Sequence, residues 1–112
     1  MKLITSKISK KELEAIAEKM FGKLVKAVVD IEKEIMAIDA DMHADEEQFL
    51  LKKGSKQTDL WGINLHPLEK AERFIEFDSM INIRPQMDNH SRSVDNPVIK
   101  EKIIKIVNSL VE

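Results

Sequence analysis

Two arginines beside a polar stretch are the residues of this sequence best suited to binding a ligand. Arg84 closes an apolar segment, and Arg92 lies within residues 86–96, which are almost all polar. A guanidinium group presents a planar fork of N–H donors that matches the oxygens of a carboxylate or a phosphate. Side chains around Arg92 and the start of a following helix could add donors to the same anion. The candidate anion-binding residues are Arg84, Asn89, Ser91, Arg92 and Ser93.

A structural interpretation of the same stretch is also open. Arg92 could pair with Asp88 or Asp95, and the serines and asparagines could serve as turn and helix-capping residues. Polar loops are common at protein surfaces, and only some of them bind a ligand. Composition alone does not decide between the two interpretations.

A second group of polar side chains follows from strand periodicity. Residues 60–66 and 74–84 alternate apolar and polar positions, which is typical of strands with two different faces. We expect a hairpin that sets Asn64 near Glu76 and Gly62 near Asp78. Three residues of its polar face join the candidate ligand-binding residues, although a merely solvated face shows the same alternation. They are Asn64, His66 and Asp78.

Histidine and carboxylate side chains give weaker signs of metal or acid–base chemistry. His43 and Asp45 would share a face if their segment is a strand, and His66 could meet Asp78 or Glu76 across the hairpin. Their spacing matches no metal-binding motif, and the acidic run around residues 39–47 lacks the pattern of an EF-hand. The chain has no cysteine, which excludes disulfides and thiolate zinc sites. We expect neither a metal nor a cofactor.

Helices are predicted at both ends of the chain. Ser9 is a typical N-cap, Glu12 stands where it would complete a capping box, and apolar residues repeat at helical spacing over residues 10–21. Asn96 and Pro97 mark the start of a second helix. The sequence therefore predicts one helix before the hairpin and one after it.

Residues 24–51 are ambiguous. Apolar positions step by three and four, as in a helix, but β-branched residues are frequent, as in a strand. We favour two strands, at residues 26–32 and 34–38, followed by an element at residues 42–51 that could be a strand or a helix. A helix over residues 24–38 is the alternative. Residues 1–8 could form a small edge strand or a tail.

Composition restricts the class of protein. A chain of 112 residues, 43% hydrophobic and 34% charged, suggests one globular domain over residues 1–112. Its 18 Lys and Arg balance 20 Asp and Glu, whereas a nucleic-acid-binding protein is usually basic. No apolar run approaches the roughly 20 residues of a membrane span, and the N-terminus lacks the apolar centre of a signal peptide. We expect a cytoplasmic protein that binds neither a membrane nor nucleic acid.

The elements combine into an α+β fold. We expect an antiparallel sheet of three to four strands with the N- and C-terminal helices packed on one face. Trp61, Phe77 and Ile81 should lie on that face, because the alternation of the two hairpin strands fits only one register. The polar face would then be open or covered by a partner.

Three segments resemble a small family of uncharacterised prokaryotic proteins, known as a domain of unknown function. They read EIMAIDADMHADEEQFLLKKGSKQTDLWGINLHP, IEFDSMINIRP and NHSRSVDNP, and their most specific parts are HADEE, DLWGIN, EFDSMINIRP and the Ser-Arg pair. The resemblance spans nearly the whole chain. It implies no activity and no catalytic residue.

In the absence of a reaction motif, we expect a non-catalytic binding or protein-interaction domain. It would self-associate through an edge strand or the open sheet face, as a homo-oligomer. The alternative is a small enzyme or ligand-binding protein in which Arg84 and Arg92 hold an anionic ligand, either a phosphate or a carboxylate.

Overall fold

A five-stranded antiparallel sheet forms the centre of the structure, a computed structural model that describes residues 1–112. The strands are β1 (Lys2–Ile4), β2 (Val25–Asp30), β3 (Ile35–Ile38), β4 (Leu60–Leu65) and β5 (Ile75–Glu76). They lie side by side in the order β1, β3, β2, β4, β5. The helices are α1 (Lys10–Met20), α2 (His43–Lys52) and α3 (Pro97–Leu110). The predicted α+β class is confirmed, but the sheet has five strands because the N-terminal segment adds an edge strand to the four expected at most.

The carboxylate of Asp30 holds the hairpin of β2 and β3. Its Oδ1 accepts hydrogen bonds from the backbone N–H groups of Glu32 and Lys33, each at 2.9 Å. Its Oδ2 accepts a hydrogen bond from the hydroxyl of Ser55 at 2.6 Å, so both oxygens of this buried group are paired. The two strands predicted here are confirmed, and the alternative of a helix over residues 24–38 is wrong.

Helices α1 and α3 pack on one face of the sheet, as predicted. Leu13 of α1 and Ile103 of α3 share a core with Trp61 of β4. Ser9 caps α1, since its Oγ accepts a hydrogen bond from the N–H of Glu12 at 3.1 Å. The carboxylate of Glu12 binds a lysine of β1 at 2.7 Å, so it does not close the predicted capping box.

Helix α3 begins where the sequence predicts and ends beside the start of the chain. The Asn96 Oδ1 accepts hydrogen bonds from the first N–H groups of the helix, at 2.8 and 3.3 Å, and Pro97 occupies the first turn. At the other end, the N–H of Ile8 donates to the carbonyl of Leu110 at 2.8 Å. No helix in the chain has the length and apolar character needed to cross a membrane.

Helix α2 covers the opposite face of the sheet, which the sequence left open. Leu50 of α2 is buried against Val28, Ala37 and Leu60 in a second, smaller core. Residues 42–51 are therefore mostly helix rather than strand. The expectation of a polar face open to solvent or to a partner is wrong, because part of this face is apolar and the helix lies on it.

The strand predicted over residues 74–84 contains only two residues. Strand β5 pairs Glu76 with Asn64, which confirms the expected partner of Asn64. Beyond β5 the chain leaves the sheet and forms two 3-10 turns, Met80–Asn82 and Pro85–Met87. Ser79 begins the first turn, because its Oγ accepts a hydrogen bond from the N–H two residues later.

The early end of β5 redistributes the apolar residues of this segment. Phe77 packs against the core shared with Trp61, as predicted. Ile81 packs against the smaller core on the α2 side, so its predicted place beneath α1 and α3 is wrong. Ile83 is 39% exposed. Alternation placed these residues on one face only because it assumed a continuous strand.

Asn82 replaces the missing strand with its side chain. Its Oδ1 accepts a hydrogen bond from the N–H of Gly62 at 2.8 Å, and its Nδ2 donates to the Gly62 carbonyl at 2.9 Å. The same Nδ2 donates to the carbonyl of Arg92 at 3.0 Å. Gly62 permits this close approach, since a Cβ there would lie 2.6 Å from the Cβ of Ser79. The partner of Gly62 is thus a side-chain amide, rather than Asp78 as expected.

Replacing Asn82 by Ala should lower the free energy of unfolding by about 2–4 kcal/mol. The reason is that the N–H and C=O of Gly62 are buried, and each such group left unpaired costs about 1–3 kcal/mol. Urea unfolding of both proteins measures the loss. Asn108→Ala, at an exposed position of α3, is the control and should stay within about 0.5 kcal/mol of the wild type. An equally small change for Asn82 would show that water takes over the role of the amide.

Candidate functional site

A small cavity, here called the polar pocket, lies between the start of α2, strand β4 and the loops that follow β5. Its volume is about 180 Å³, which is below the roughly 300–1,000 Å³ of pockets for drug-sized ligands. The polar residues that line it come from distant parts of the chain, and the sheet and α2 bring them together. They are Lys26, His43, Asn64, Asp78, Ser79 and Arg92.

Asn64 contributes a buried acceptor to this pocket. Its Nδ2 donates to a carboxylate oxygen of Glu76 at 3.0 Å and to the backbone carbonyl of Asp78 at 3.3 Å. Its Oδ1 is buried and has no hydrogen-bond partner, and the residue as a whole is only 7% exposed. A buried polar atom without a partner costs about 1–3 kcal/mol, and such atoms are rare in folded proteins. The Oδ1 atom of Asn64 has no paired donor in the structure, and the Asn64 side chain lies beside that of His43 on the pocket wall.

His43, at the first position of α2, contributes a neutral imidazole. Its Nε2 lies 2.7 Å from the carbonyl oxygen of Ile63, and because a carbonyl only accepts, Nε2 carries the hydrogen. Burial lowers the pKa of His43 below its ordinary value, and the contacts with the Ile63 carbonyl and the Asn64 side chain only partly oppose this effect. At neutral pH the ring is thus uncharged, and Nδ1 holds a lone pair that can accept a hydrogen bond or a proton.

The charges around the pocket leave one cation without a carboxylate partner. Arg92 is paired, with its Nε 2.7 Å from the Asp78 carboxylate, and this pair is largely exposed. Lys26 forms no ion pair, and its Nζ lies over the ring of Phe21 at 4.9 Å from the centroid. The residues that line the pocket thus include two cations and one carboxylate, a net positive charge.

Glu46, one helical turn after His43, is a buried acid. It is 0% exposed; its Oε2 accepts a hydrogen bond from the N–H of Ala40 at 3.2 Å, and its Oε1 has no partner. Burial raises the pKa of Glu46 to about 9. The side chain is consequently protonated at neutral pH and does not neutralise the nearby Lys26.

The structure places Arg84 outside the polar pocket. The residue is buried, its guanidinium lies over the ring of Trp61 at 4.9 Å, and one of its terminal nitrogens is 3.2 Å from the carboxylate of Glu47. Burial lowers the pKa of Arg84, and the ion pair with Glu47 opposes that shift. Arg84 and Arg92 therefore do not converge on a common anion.

Asn89 and the serines of the last loop bind the loop to itself. The Asn89 Nδ2 donates to the backbone carbonyls of Asn82, Ser91 and Ser93, and its Oδ1 accepts from the N–H of Asp95 at 2.7 Å. The Ser91 hydroxyl donates to the Asp95 carboxylate and accepts from the N–H of Ser93 at 3.1 Å. These three candidate residues fix the conformation of the loop and do not line the pocket.

His66 lies at the sheet edge, where its Nε2 is 3.0 Å from the carboxylate of Glu76. The hydrogen bonds from His66 and then Asn64 lower the pKa of Glu76. This is the cross-strand contact that the hairpin predicted, but it is outside the polar pocket. No group of three or more His, Asp or Glu side chains is arranged to hold a metal ion.

Three of the candidate residues, Asn64, Asp78 and Arg92, meet in the pocket, together with three polar residues that were not assigned to it, Lys26, His43 and Ser79. Lys26 was missed, and His43 was considered only for metal or acid–base chemistry, because both belong to the ambiguous residues 24–51. The spacing of His43, Glu46 and Leu50 at three and four residues could have identified the buried face of a helix there.

The fold and the pocket together define a small α+β domain with a partly buried polar site. The chain belongs to a family described as "Protein of unknown function (DUF5674)", whose model matches residues 2–110. No curated protein and no solved structure matches it. The resemblance to an uncharacterised family is confirmed, and it assigns no activity to the site.

The raised pKa of Glu46 predicts that the folded state loses stability as pH rises. Between the unfolded pKa near 4.5 and the folded pKa of about 9, the folded state holds a proton that the unfolded chain has released. The free energy of unfolding should then fall by at most about 1.4 kcal/mol per pH unit. Urea unfolding from about pH 7 to about pH 8, above the ordinary pKa of His43, should show this slope in the wild type and not in Glu46→Gln.

The exposed Glu18→Gln variant is the matched control, since it removes a carboxylate without touching the buried site. It should keep the slope of the wild type. The same slope in Glu46→Gln would mean that Glu46 is already ionised in the folded protein at neutral pH.

Proposed function

We propose that this chain is a non-catalytic binding domain that holds a small anionic ligand in the polar pocket. The observation that carries the proposal is the unpaired Oδ1 of Asn64, a buried acceptor on the wall of a cavity that also contains Lys26 and Arg92. A ligand that offers a donor to Asn64 and a negative charge to the two cations satisfies all three groups at once.

The residues that line the polar pocket indicate which functional groups the ligand must have. Two acceptors, the Asn64 Oδ1 and the free nitrogen of His43, require a hydroxyl, amine or amide N–H group on the ligand. The two cations require a carboxylate or a phosphate. A volume of about 180 Å³ holds about six water molecules at the roughly 30 Å³ that each occupies in the liquid, so the ligand is small. Small hydroxy acids, amino acids and short phosphate esters fit this description.

Arg92 and Lys26 serve this role, whereas Arg84 lies outside the polar pocket and pairs with Glu47 through one of its nitrogens. The pair between Arg92 and Asp78 is exposed, and exposed ion pairs contribute only about 0–1 kcal/mol. A ligand carboxylate can therefore replace Asp78 at low cost. Opening the buried Arg84 pair would cost much more, about 3–5 kcal/mol.

Thermal unfolding in the presence of small carboxylates and phosphates tests the proposal. A ligand that binds only the folded state, at a hundredfold excess over its Kd, adds about 2.7 kcal/mol of stability, which should raise the Tm by about 10 °C. We expect such a shift from at least one compound that also bears a hydroxyl or amine, and a much smaller shift in Arg92→Gln and in Lys26→Gln.

The controls remove equivalent charges elsewhere. Arg73→Gln and Lys105→Gln are at exposed positions outside the polar pocket and should retain the shift of the wild type. If no compound of the panel raises the Tm, or if the controls lose the shift as well, binding of an anion in this pocket is refuted.

Acid–base catalysis on the bound ligand is the second candidate function. The observation that favours it is the neutral imidazole of His43 on the wall of the polar pocket, because perturbed pKa values concentrate at catalytic sites. Proton NMR of a stabilising ligand, incubated with the protein in D₂O, distinguishes the two functions. A ligand spectrum that does not change with time supports binding alone, whereas exchange or conversion that is lost in His43→Gln supports catalysis.

A further inference from the structure

A second cavity, here called the apolar groove, runs between α3 and the edge strand β5, on the face opposite α2. Its volume is about 740 Å³, four times that of the polar pocket. Its walls include Phe77 from the segment after β5, and Ile104 and Val111 from the C-terminal helix and the residue after it. These three side chains are only partly buried, so the groove presents apolar surface to the outside. Exposed apolar surface of this kind is typical of binding and interaction sites.

The charged residues along the groove are two lysines and two glutamates. Lys10 and Lys100 lie over aromatic rings, with their Nζ atoms 4.9 Å and 4.8 Å from the ring centroids. Glu72 and Glu112 complete the set. None of the four forms an ion pair within the chain. The charged side chains of the groove are thus two of each sign.

The groove is continuous with an unpaired sheet edge. Strand β5 pairs with β4 on one side and with no strand on the other. The carbonyl of Phe74 accepts a hydrogen bond from the N–H of His66, so by the alternation of antiparallel strands Ile75 directs its N–H and C=O groups outward. An outward pair of backbone groups beside an apolar surface is a site where a second strand can add.

We propose that the apolar groove and β5 form the contact surface of a homodimer, in which a second copy of this chain docks through the same surface. The two positive and two negative side chains along the groove indicate which kind of molecule binds there. An anionic amphiphile or an acidic peptide would meet the two glutamates, and a cationic one would meet the two lysines. A second copy related by a two-fold axis supplies charges of both signs. In such an interface, if residue i of one subunit contacts residue j of the other, then residue j of the first also contacts residue i of the second.

The two-fold symmetry follows from the strand. Antiparallel pairing of β5 with its own copy has a two-fold axis perpendicular to the sheet and would join the two sheets into one. The two grooves then face each other on the same side of the joined sheet, and the two α3 helices run antiparallel. Lys100 lies near the beginning of α3 and Glu112 just beyond its end, so Lys100 faces Glu112 of the partner subunit.

Sedimentation equilibrium of the full chain over a range of concentrations tests the proposal. We expect reversible dimers in the wild type. Lys100→Glu sets two carboxylates against each other at both symmetric contacts, and we expect dimerisation at least about tenfold weaker. The double variant Lys100→Glu with Glu112→Lys exchanges the two charges and should restore dimerisation to within about threefold of the wild type.

Lys102→Glu is the control, because it reverses a charge at an exposed position of α3 outside the groove and should leave dimerisation unchanged. Circular dichroism verifies that each variant is folded. A wild type that stays monomeric at its highest attainable concentration would overturn the proposal. So would a dimer that is unaffected by Lys100→Glu, or a folded double variant that remains as weak as the single one. A monomer that retains a bound amphiphile in native mass spectrometry would assign the groove to that amphiphile instead.

Discussion

The hydrogen bonds between the Asn82 amide and the backbone of Gly62 are the interaction on which the functional half of the molecule depends. Strand β4 needs partners on both sides, but β5 ends after two residues. Asn82 supplies the missing donor and acceptor and also binds the carbonyl of Arg92. One side chain therefore completes the sheet and fixes the loop that carries Arg92 to the pocket.

Because the Asn82 side chain takes the place of a longer β5, a cavity forms on each face of the sheet. A continuous strand over residues 74–84 would have continued the regular alternation and left no recess. Because the chain departs after β5, the segment with Asp78 and Ser79 forms one wall of the polar pocket, and α2 forms another. On the opposite face, α1 and α3 cover the main core but leave the apolar groove beside β5.

Local signals were sufficient for much of the fold and for part of the site. The caps at Ser9 and Asn96, the hairpin of β2 and β3, and the pairing of Asn64 with Glu76 all depend on neighbouring residues and were predicted correctly. The end of β5 and the position of α2 depend on contacts between residues that are distant in the sequence, such as Asn82 and Gly62. The periodicity of apolar residues does not predict such contacts. Asn64 and Asp78 were found from the alternation of the hairpin and Arg92 from the polar loop, whereas Lys26 and the position of His43 depend on how residues 24–51 fold.

The unpaired groups of the polar pocket carry a cost that a purely structural role does not explain. A domain of this size has a total stability of about 5–15 kcal/mol, and each buried polar atom without a partner costs about 1–3 kcal/mol. Asn64 contributes one such oxygen to the pocket, and Glu46, which does not line the pocket, has another. Apolar side chains of similar volume would pack in their places without that cost. Glu46 is also protonated, so Lys26 keeps its positive charge uncompensated next to the cavity. A site in which an acceptor, a neutral imidazole and a free cation stay unsatisfied in the empty protein is organised for a molecule that satisfies them.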